Sequence, residues 1–214
     1  MLERLEHHPA AEADSAIVWM HGLGASSSDF LPVIPHLRLT TTRLVFPQAP
    51  SRPVTINNGH VMPAWYDIRS MAPGPDREGE DGIRDSATQI AALLDREISR
   101  GISPDRLLLA GFSQGGAMAL HVAHRYPHTL AGVVVLSAYP LLTDRWQAEA
   151  HPANAATPHF LAHGRHDNVV PVQRGQQGRA LIGARGEWHD YPMGHELCME
   201  EIVDLREWLH ARLG

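Results

Sequence analysis

The chain has 214 residues, 43% of them hydrophobic, with a formal net charge of −6 and a single cysteine. That length suits one domain with a sizeable core, and the negative balance disfavours nucleic acid as a general partner. Cys198 alone excludes an internal disulfide, no apolar run reaches the ~20 residues of a membrane span, and residues 1–8 lack the layout of a signal peptide, so a cytoplasmic protein with no integral membrane segment is expected.

Residues 16–20, Ala-Ile-Val-Trp-Met, read as a buried strand, followed by the Gly-rich loop His21-Gly-Leu-Gly-Ala-Ser-Ser-Ser28. The loop's spacing matches neither a dinucleotide fingerprint nor a Walker lysine pattern, so a phosphate cradle is not indicated. Residues 43–46 form a second strand, closed by Pro47. Between residues 48 and 82 periodicity disappears, and Pro50, Pro53, Pro63, Pro73 and Pro75 predict an excursion without regular structure. Its apolar content is too high for a solvated linker, so it is expected to fold over the substrate. Met62, Trp65 and, beyond the segment, Val170 are the candidate substrate-binding residues. Met62 is expected to tune the length of the group the groove accepts and Trp65 to anchor the loop, with Asp67 bonding the loop's own N–H groups.

Ile83, Ala87, Ile90, Ala91, Leu94 and Ile98 mark one face of an amphipathic helix that Gly101 is placed to end. Residues 107–110 then form an apolar strand that runs into Gly111-Phe-Ser-Gln-Gly115, and Ala117, Leu120 and Ala123 recur at helical spacing beyond it. Strand, Gly-flanked serine and helix in succession are the context of a nucleophile elbow. Residues 131–137 and 158–163 read as further buried strands, 171–182 as a helix weakened by Gly175 and Gly178, and 186–191 as a last strand. Leu197, Ile202, Leu205, Trp208 and Leu209 give a closing helix its core face. Alternating strands and helices predict an α/β fold with a mainly parallel sheet covered on both faces, and no second core or repeat divides residues 1–214.

Reactive groups in such sheets gather at the carboxyl ends of strands. Asp167 follows the strand at 158–163 and His195 follows the strand at 186–191, completing the order Ser113, Asp167, His195. In that arrangement the histidine activates the serine hydroxyl and the acid orients the histidine. The oxyanion would be held by the backbone N–H groups of Gln114 and Leu23. Asp190 lies within a strand, Glu196 starts a helix, Ser137 lacks the glycine-flanked turn and His166 precedes the acid, so each is a weaker candidate. The fifteen histidines are scattered. The pairs His121 with His124 and His159 with His163 are read as packing or surface residues, and no metal or other cofactor is expected.

The blocks HGLG at 21–24, FPQAPSRPVTINNG at 46–59, MPAWYDI at 62–68, GFSQGGAMAL at 111–120, HGRHDNVVP at 163–171 and YPMGHELC at 191–198 carry a family likeness. On them the chain resembles the phospholipase/carboxylesterase, or acyl-protein thioesterase-like, family of small α/β-hydrolases over nearly its whole length. The resemblance implies the α/β-hydrolase fold, cofactor-free hydrolysis of esters or thioesters, and the triad and oxyanion donors already named. Where thioesterase members commonly continue HGLG with an Asp-Thr/Ser-Gly turn, this chain has Ala25-Ser-Ser27, which brings it nearer the bacterial carboxylesterases. The expected function is therefore a serine carboxylesterase for short to medium acyl chains, acting on a small-molecule ester or thioester. An acyl-protein thioesterase or lysophospholipase is the runner-up, a non-catalytic small-molecule binder is remote, and a homodimer is left open.

Overall fold

Strands that are apolar on both faces need cover on both faces, and the computed structural model of the chain supplies it. The structure describes residues 2–70, 72, 74 and 77–214. Its strands are β1 (Arg4–His7), β2 (Ser15–Met20), β3 (Thr42–Pro47), β4 (Ser51–Val54), β5 (His60–Pro63), β6 (Leu107–Phe112), β7 (Gly132–Leu136), β8 (His159–Gly164) and β9 (Gly186–Tyr191). Its helices are α1 (Ile34–Leu37), α2 (Glu80–Ser99), α3 (Gln114–Arg125), α4 (Val172–Ile182) and α5 (Met199–Leu213). A seven-stranded sheet runs in the order β1-β3-β2-β6-β7-β8-β9. Only β1 is antiparallel to its neighbour there, so the expected mainly parallel α/β sheet is what the chain forms.

Alternation along β2 divides the core in two. Ile17 and Trp19 join Leu44, Phe46 and Leu108 on one face, while Val18 and Met20 join Val45, Leu107 and Leu109 on the other. The first face is covered by α1 and α5 through Leu37, Leu205 and Leu209, the second by α2, α3 and α4 through Ile83, Ile90, Leu120 and Ile182. The glycines of α4 are the reason it can lie so close to the sheet, because a side chain at Gly175 would run into the His163 ring of β8.

Three features depart from the sequence expectations. β1 carries no apolar signal, since Arg-Leu-Glu-His alternates half-buried with exposed residues on an edge strand. Segment 48–82 is not devoid of regular structure. β4 and β5 pair antiparallel, with Pro53 opposite Val61 and Pro63 opposite Ser51. Both strands of a two-stranded ribbon are edges, where a proline's missing N–H need not interrupt a ladder. Of the prolines noted there, Pro73 and Pro75 lie outside the described residues. Finally, the closing helix starts at Met199, with Cys198 as its N-cap, so Leu197 precedes it.

Within α5, Glu201 has no solvent exposure, and neither of its carboxyl oxygens accepts a hydrogen bond among the described residues. Burial pushes this carboxyl up from 4.5 to about 8. The folded chain thus holds the proton more tightly than the unfolded chain. The contribution to stability is complete below the ordinary carboxyl range and is lost as pH rises towards about 8. Glu201→Gln, a neutral isostere, is expected to raise the melting temperature over the parent by several degrees at about pH 9 but not at about pH 4, as each kcal/mol is worth roughly 2–4 °C at this size. Thermal unfolding of both proteins across pH checks this, and a difference that is flat with pH would contradict it.

Candidate active site

β6 ends at Phe112 and α3 begins at Gln114, so the connection is one residue, Ser113, held at φ 54° and ψ −121°. Few residues adopt that conformation without enforcement. A side chain at Gly111 would overlap the backbone of Gly115, and one at Gly115 would overlap the Met20 carbonyl. Glycine at both positions lets strand and helix close around the turn and lift the serine above the sheet.

The structure brings the other two members of the sequence-predicted set to the same place. Ser113 Oγ lies 2.9 Å from His195 Nε2, and His195 Nδ1 lies 2.7 Å from Asp167 Oδ2. With Nδ1–H donating to the carboxylate, Nε2 is left to accept the serine proton. Asp167 has no side-chain exposure. Its Oδ1 accepts from the N–H groups of Val169 at 2.9 Å and Val170 at 2.7 Å, which fixes its plane. The loops carrying acid and base touch at Gly164, where any side chain would strike the carbonyls of Met193 and Gly194. Phe112 flanks the His195 ring at 4.7 Å between centroids.

Of the weaker candidates, several are engaged elsewhere or buried away from the triad. Asp190 accepts from Trp188 Nε1 and pairs with Arg165 at 3.2 Å. His124 donates to Trp146 O, His159 to Thr157 O and His163 to Val170 O. His121 is buried in α3, where desolvation pushes it down to about 3. Ser137 is buried at the end of β7.

Leu23 and Gln114 both line a cleft of about 540 Å³ that opens onto Ser113 and His195. Among the described residues neither backbone N–H donates to a protein acceptor. The Leu23 loop is tied down around His21. Burial disfavours the charged form of this ring, so it donates from Nδ1 to Gly22 O at 2.7 Å and accepts at Nε2 from Ala49 N–H at 3.0 Å. Trp65 Nε1 donates to His21 O at 2.8 Å, and Gly24 N–H to Pro63 O at 2.8 Å.

The cleft walls include Phe30, Ile56, Ile68, Phe112, Val170 and Leu197. Val170 thus lines the cleft. Trp65 and Met62 do not. Trp65 is fully buried behind the cleft, holding the Leu23 loop and accepting Ser86 Oγ–H at its carbonyl. Met62 leans on the other side of that loop, close to Gly24, with its sulfur accepting from Asn57 Nδ2. Ile56 and Ile68, from the same segment, face the cleft instead. Ile56 lies in the turn between β4 and β5 and Ile68 beyond β5, places that the sequence pattern did not mark. Asp67 accepts from Thr55 N–H and Oγ1–H, both at 2.7 Å, and so braces the segment as expected.

A family model described as phospholipase/carboxylesterase matches residues 7–213. The chain belongs to that family. With it the chain is a hydrolase of the serine type on the α/β-hydrolase fold. It is 35% identical to the probable carboxylesterase of Oryza sativa subsp. japonica, over 95% of this chain and 80% of that protein. It is 36% identical to acyl-protein thioesterase 1 of Neurospora crassa, over 95% of this chain and 89% of that protein. Among solved structures it superimposes on Zea mays acyl-protein thioesterase 2 with a TM-score of 0.87 at 30% identity, covering 100% of both chains. Relatives of both names match equally well, so likeness alone does not favour the carboxylesterase over the thioesterase.

In this member of the phospholipase/carboxylesterase family the side chain of Gln114 has a second task. Its Oε1 accepts Trp65 N–H at 2.7 Å and its Nε2 donates to Tyr66 O at 2.8 Å. Only its N–H had been singled out in the sequence; a glutamine after the elbow serine gives no local sign of the chain it will bind. Trp65→Phe keeps an aromatic ring, smaller than the buried indole, and deletes the bond to His21 O. It is expected to lower stability by about 1–2 kcal/mol and to depress turnover of short and long esters alike, because it loosens the Leu23 loop. Met62→Ala should leave the chain-length profile unaltered. Melting curves and kcat/KM along an ester series check both; a profile that moves with Met62 would put that residue back in the binding site.

Proposed function

We propose that the protein is a serine carboxylesterase that cleaves carboxylic esters of short to medium acyl chain through an acyl-enzyme. The observation that carries this reading is the hydrogen-bonded series Ser113–His195–Asp167 at the floor of a mostly apolar cleft. Ser113 Oγ attacks the ester carbonyl as His195 Nε2 takes its proton. The negative charge of the tetrahedral intermediate falls to the N–H groups of Leu23 and Gln114, each worth roughly 3–4 kcal/mol in such a site. His195 returns the proton to the departing alcohol, and a water molecule repeats the sequence to free the acid and the serine. Asp167 keeps Nδ1 protonated and stabilises the imidazolium between those steps. All of this uses the chain's own groups.

A second reading is an acyl-protein thioesterase or lysophospholipase; acyl-protein thioesterase is the name that relatives such as the Neurospora crassa protein carry. The same intermediate serves both, and the apolar walls suit an acyl chain in either case. The lone Cys198 is consistent with the cytoplasmic setting that goes with either reading.

A fluorophosphonate is expected to add one label per chain at Ser113 and none to Ser113→Ala, as read by intact-protein mass spectrometry. Asp167→Asn should lower kcat/KM by about 10⁴-fold. Labelling that survives in Ser113→Ala would remove the serine from the reaction. Matched oxoester and thioester series on the parent decide between the two readings by which series shows the higher kcat/KM.

A further inference from the structure

One wall of the cleft does not match the rest. Arg77 lines it among apolar neighbours and is only 8% exposed. Its backbone is held in place, as its carbonyl accepts Arg69 N–H at 2.8 Å beside the bridge between Ile68 and Glu78. Removing a guanidinium from water costs several kcal/mol unless other groups replace the water. Here the replacement is partial. The guanidinium carbon lies 5.2 Å from the centre of the Tyr139 ring, and Nε lies 3.1 Å from Glu78 Oε1 without the alignment of a hydrogen bond. Among the described residues no side-chain N–H of Arg77 makes a hydrogen bond.

Glu78 is also shared. Arg174 Nη2 stands 3.7 Å from the same Oε1, and its guanidinium stacks on Tyr139 at 3.9 Å. Among the described residues two guanidinium groups thus face one carboxyl, an excess of one positive charge behind the wall even with that carboxyl ionised, and burial of Glu78 disfavours ionisation. The acids that line the same cleft, Asp29 and Glu196, are exposed at its mouth, where water and salt screen them. A planar guanidinium whose donors meet no acceptor among the described residues, set in a low-dielectric wall, is matched best by a carboxylate, which accepts two of its N–H groups at once.

We propose that Arg77 is an anion-recognition subsite of the cleft, and that the esters this enzyme prefers carry a carboxylate separated from the scissile carbonyl by an aliphatic spacer. The inference rests on the serine hydrolase reading above and narrows its substrate class to half-esters or half-thioesters of dicarboxylic acids. The spacer packs on the apolar walls and the carboxylate meets Arg77, while the ester carbonyl stays over Ser113. The chemistry at the ester is unchanged.

The test compares mono-para-nitrophenyl esters of adipic, suberic and sebacic acids with para-nitrophenyl alkanoates of equal carbon number. The quantity read is the acid-to-neutral ratio of kcat/KM per fluorophosphonate-titrated site. At one spacer length the ratio in the parent should exceed one by roughly tenfold or more, the scale of a charged hydrogen-bonded pair. Arg77→Gln should abolish the preference and Arg77→Lys should retain part of it. A parent ratio at or below one for every length overturns the inference, as does a ratio unchanged in Arg77→Gln. Where Arg77→Gln does not fold, the parent carries the test: chloride must compete for Arg77 and lower the ratio, and a ratio indifferent to salt overturns the proposal. Should Ser113 fail to label at all, the serine reading falls; labelled enzyme without acid preference removes only the subsite.

Discussion

A backbone conformation that most residues avoid survives only where the surroundings over-determine it, and the surroundings of Ser113 are the centre of the sheet. Its N–H donates to Leu136 O of β7 at 2.8 Å, and its carbonyl accepts Ala117 N–H of α3 at 3.0 Å. Behind it, α3 is pressed so close to β2 that a single carbon on Gly115 would meet the Met20 carbonyl. β6 lies between β2 and β7, so the turn is gripped by buried strands on both sides. The stability of the parallel core is what keeps the hydroxyl aimed, and a packing defect there would be felt as a loss of geometry at Ser113.

From that turn the constraint passes outward through hydrogen bonds. Gln114 grips the Trp65–Tyr66 backbone with its side chain, Trp65 reaches His21 O, and His21 receives Ala49 N–H. Gln48 joins in, accepting Ser27 N–H at 2.9 Å. The ribbon beside the cleft and the loop that offers Leu23 N–H are therefore one framework fixed to the elbow. Donors that stabilise a developing oxyanion are effective because they need not reorganise when the charge appears. A buried polar network of this kind adds rigidity when its members are satisfied, and the polar groups of Trp65 and the carboxamide of Gln114 are engaged.

What could be read in advance divides along physical lines. Ser113, Asp167 and His195 were legible because each lies just past the end of a strand, and those ends are marked by glycine or proline. β2, β6 and β7 were legible because burial on both faces leaves them almost wholly apolar. β1 was not, since an edge strand such as Arg-Leu-Glu-His owes its place to pairing with β3 and not to its own pattern. Segment 48–82 was half legible. Its apolar residues announced burial, but Ile56 lies in the turn that joins β4 to β5 while Met62 lies within β5, and no local pattern separates the two. Trp65 was rightly taken for an anchor, yet the group it anchors to, the His21 carbonyl, is 44 positions away in sequence. Arg77 gave no signal at all, because a basic residue in a charged stretch looks like a solvated face until the fold buries it.

The histidines close the argument about electrostatics near the site. Three of them stand within or beside it, and only one is placed to exchange a proton with Ser113. His21 and His163 are buried, and desolvation lowers the proton affinity of both rings. Held neutral, each can donate from one nitrogen to a backbone carbonyl, His21 to Gly22 and His163 to Val170, and so serve as a rigid spacer. The distinction matters most at Asp167, since His163 Nε2 lies only 3.6 Å from Oδ2. A charged ring there would compete with His195 for the same oxygen. Because His163 directs its proton to Val170 O, and Val170 N–H is directed in turn to Oδ1, the carboxylate is shaped from behind while Oδ2 is left to hold His195. His195 keeps 16% side-chain exposure, enough to reach both serine and solvent. Burial thus sorts chemically identical side chains into framework and working group.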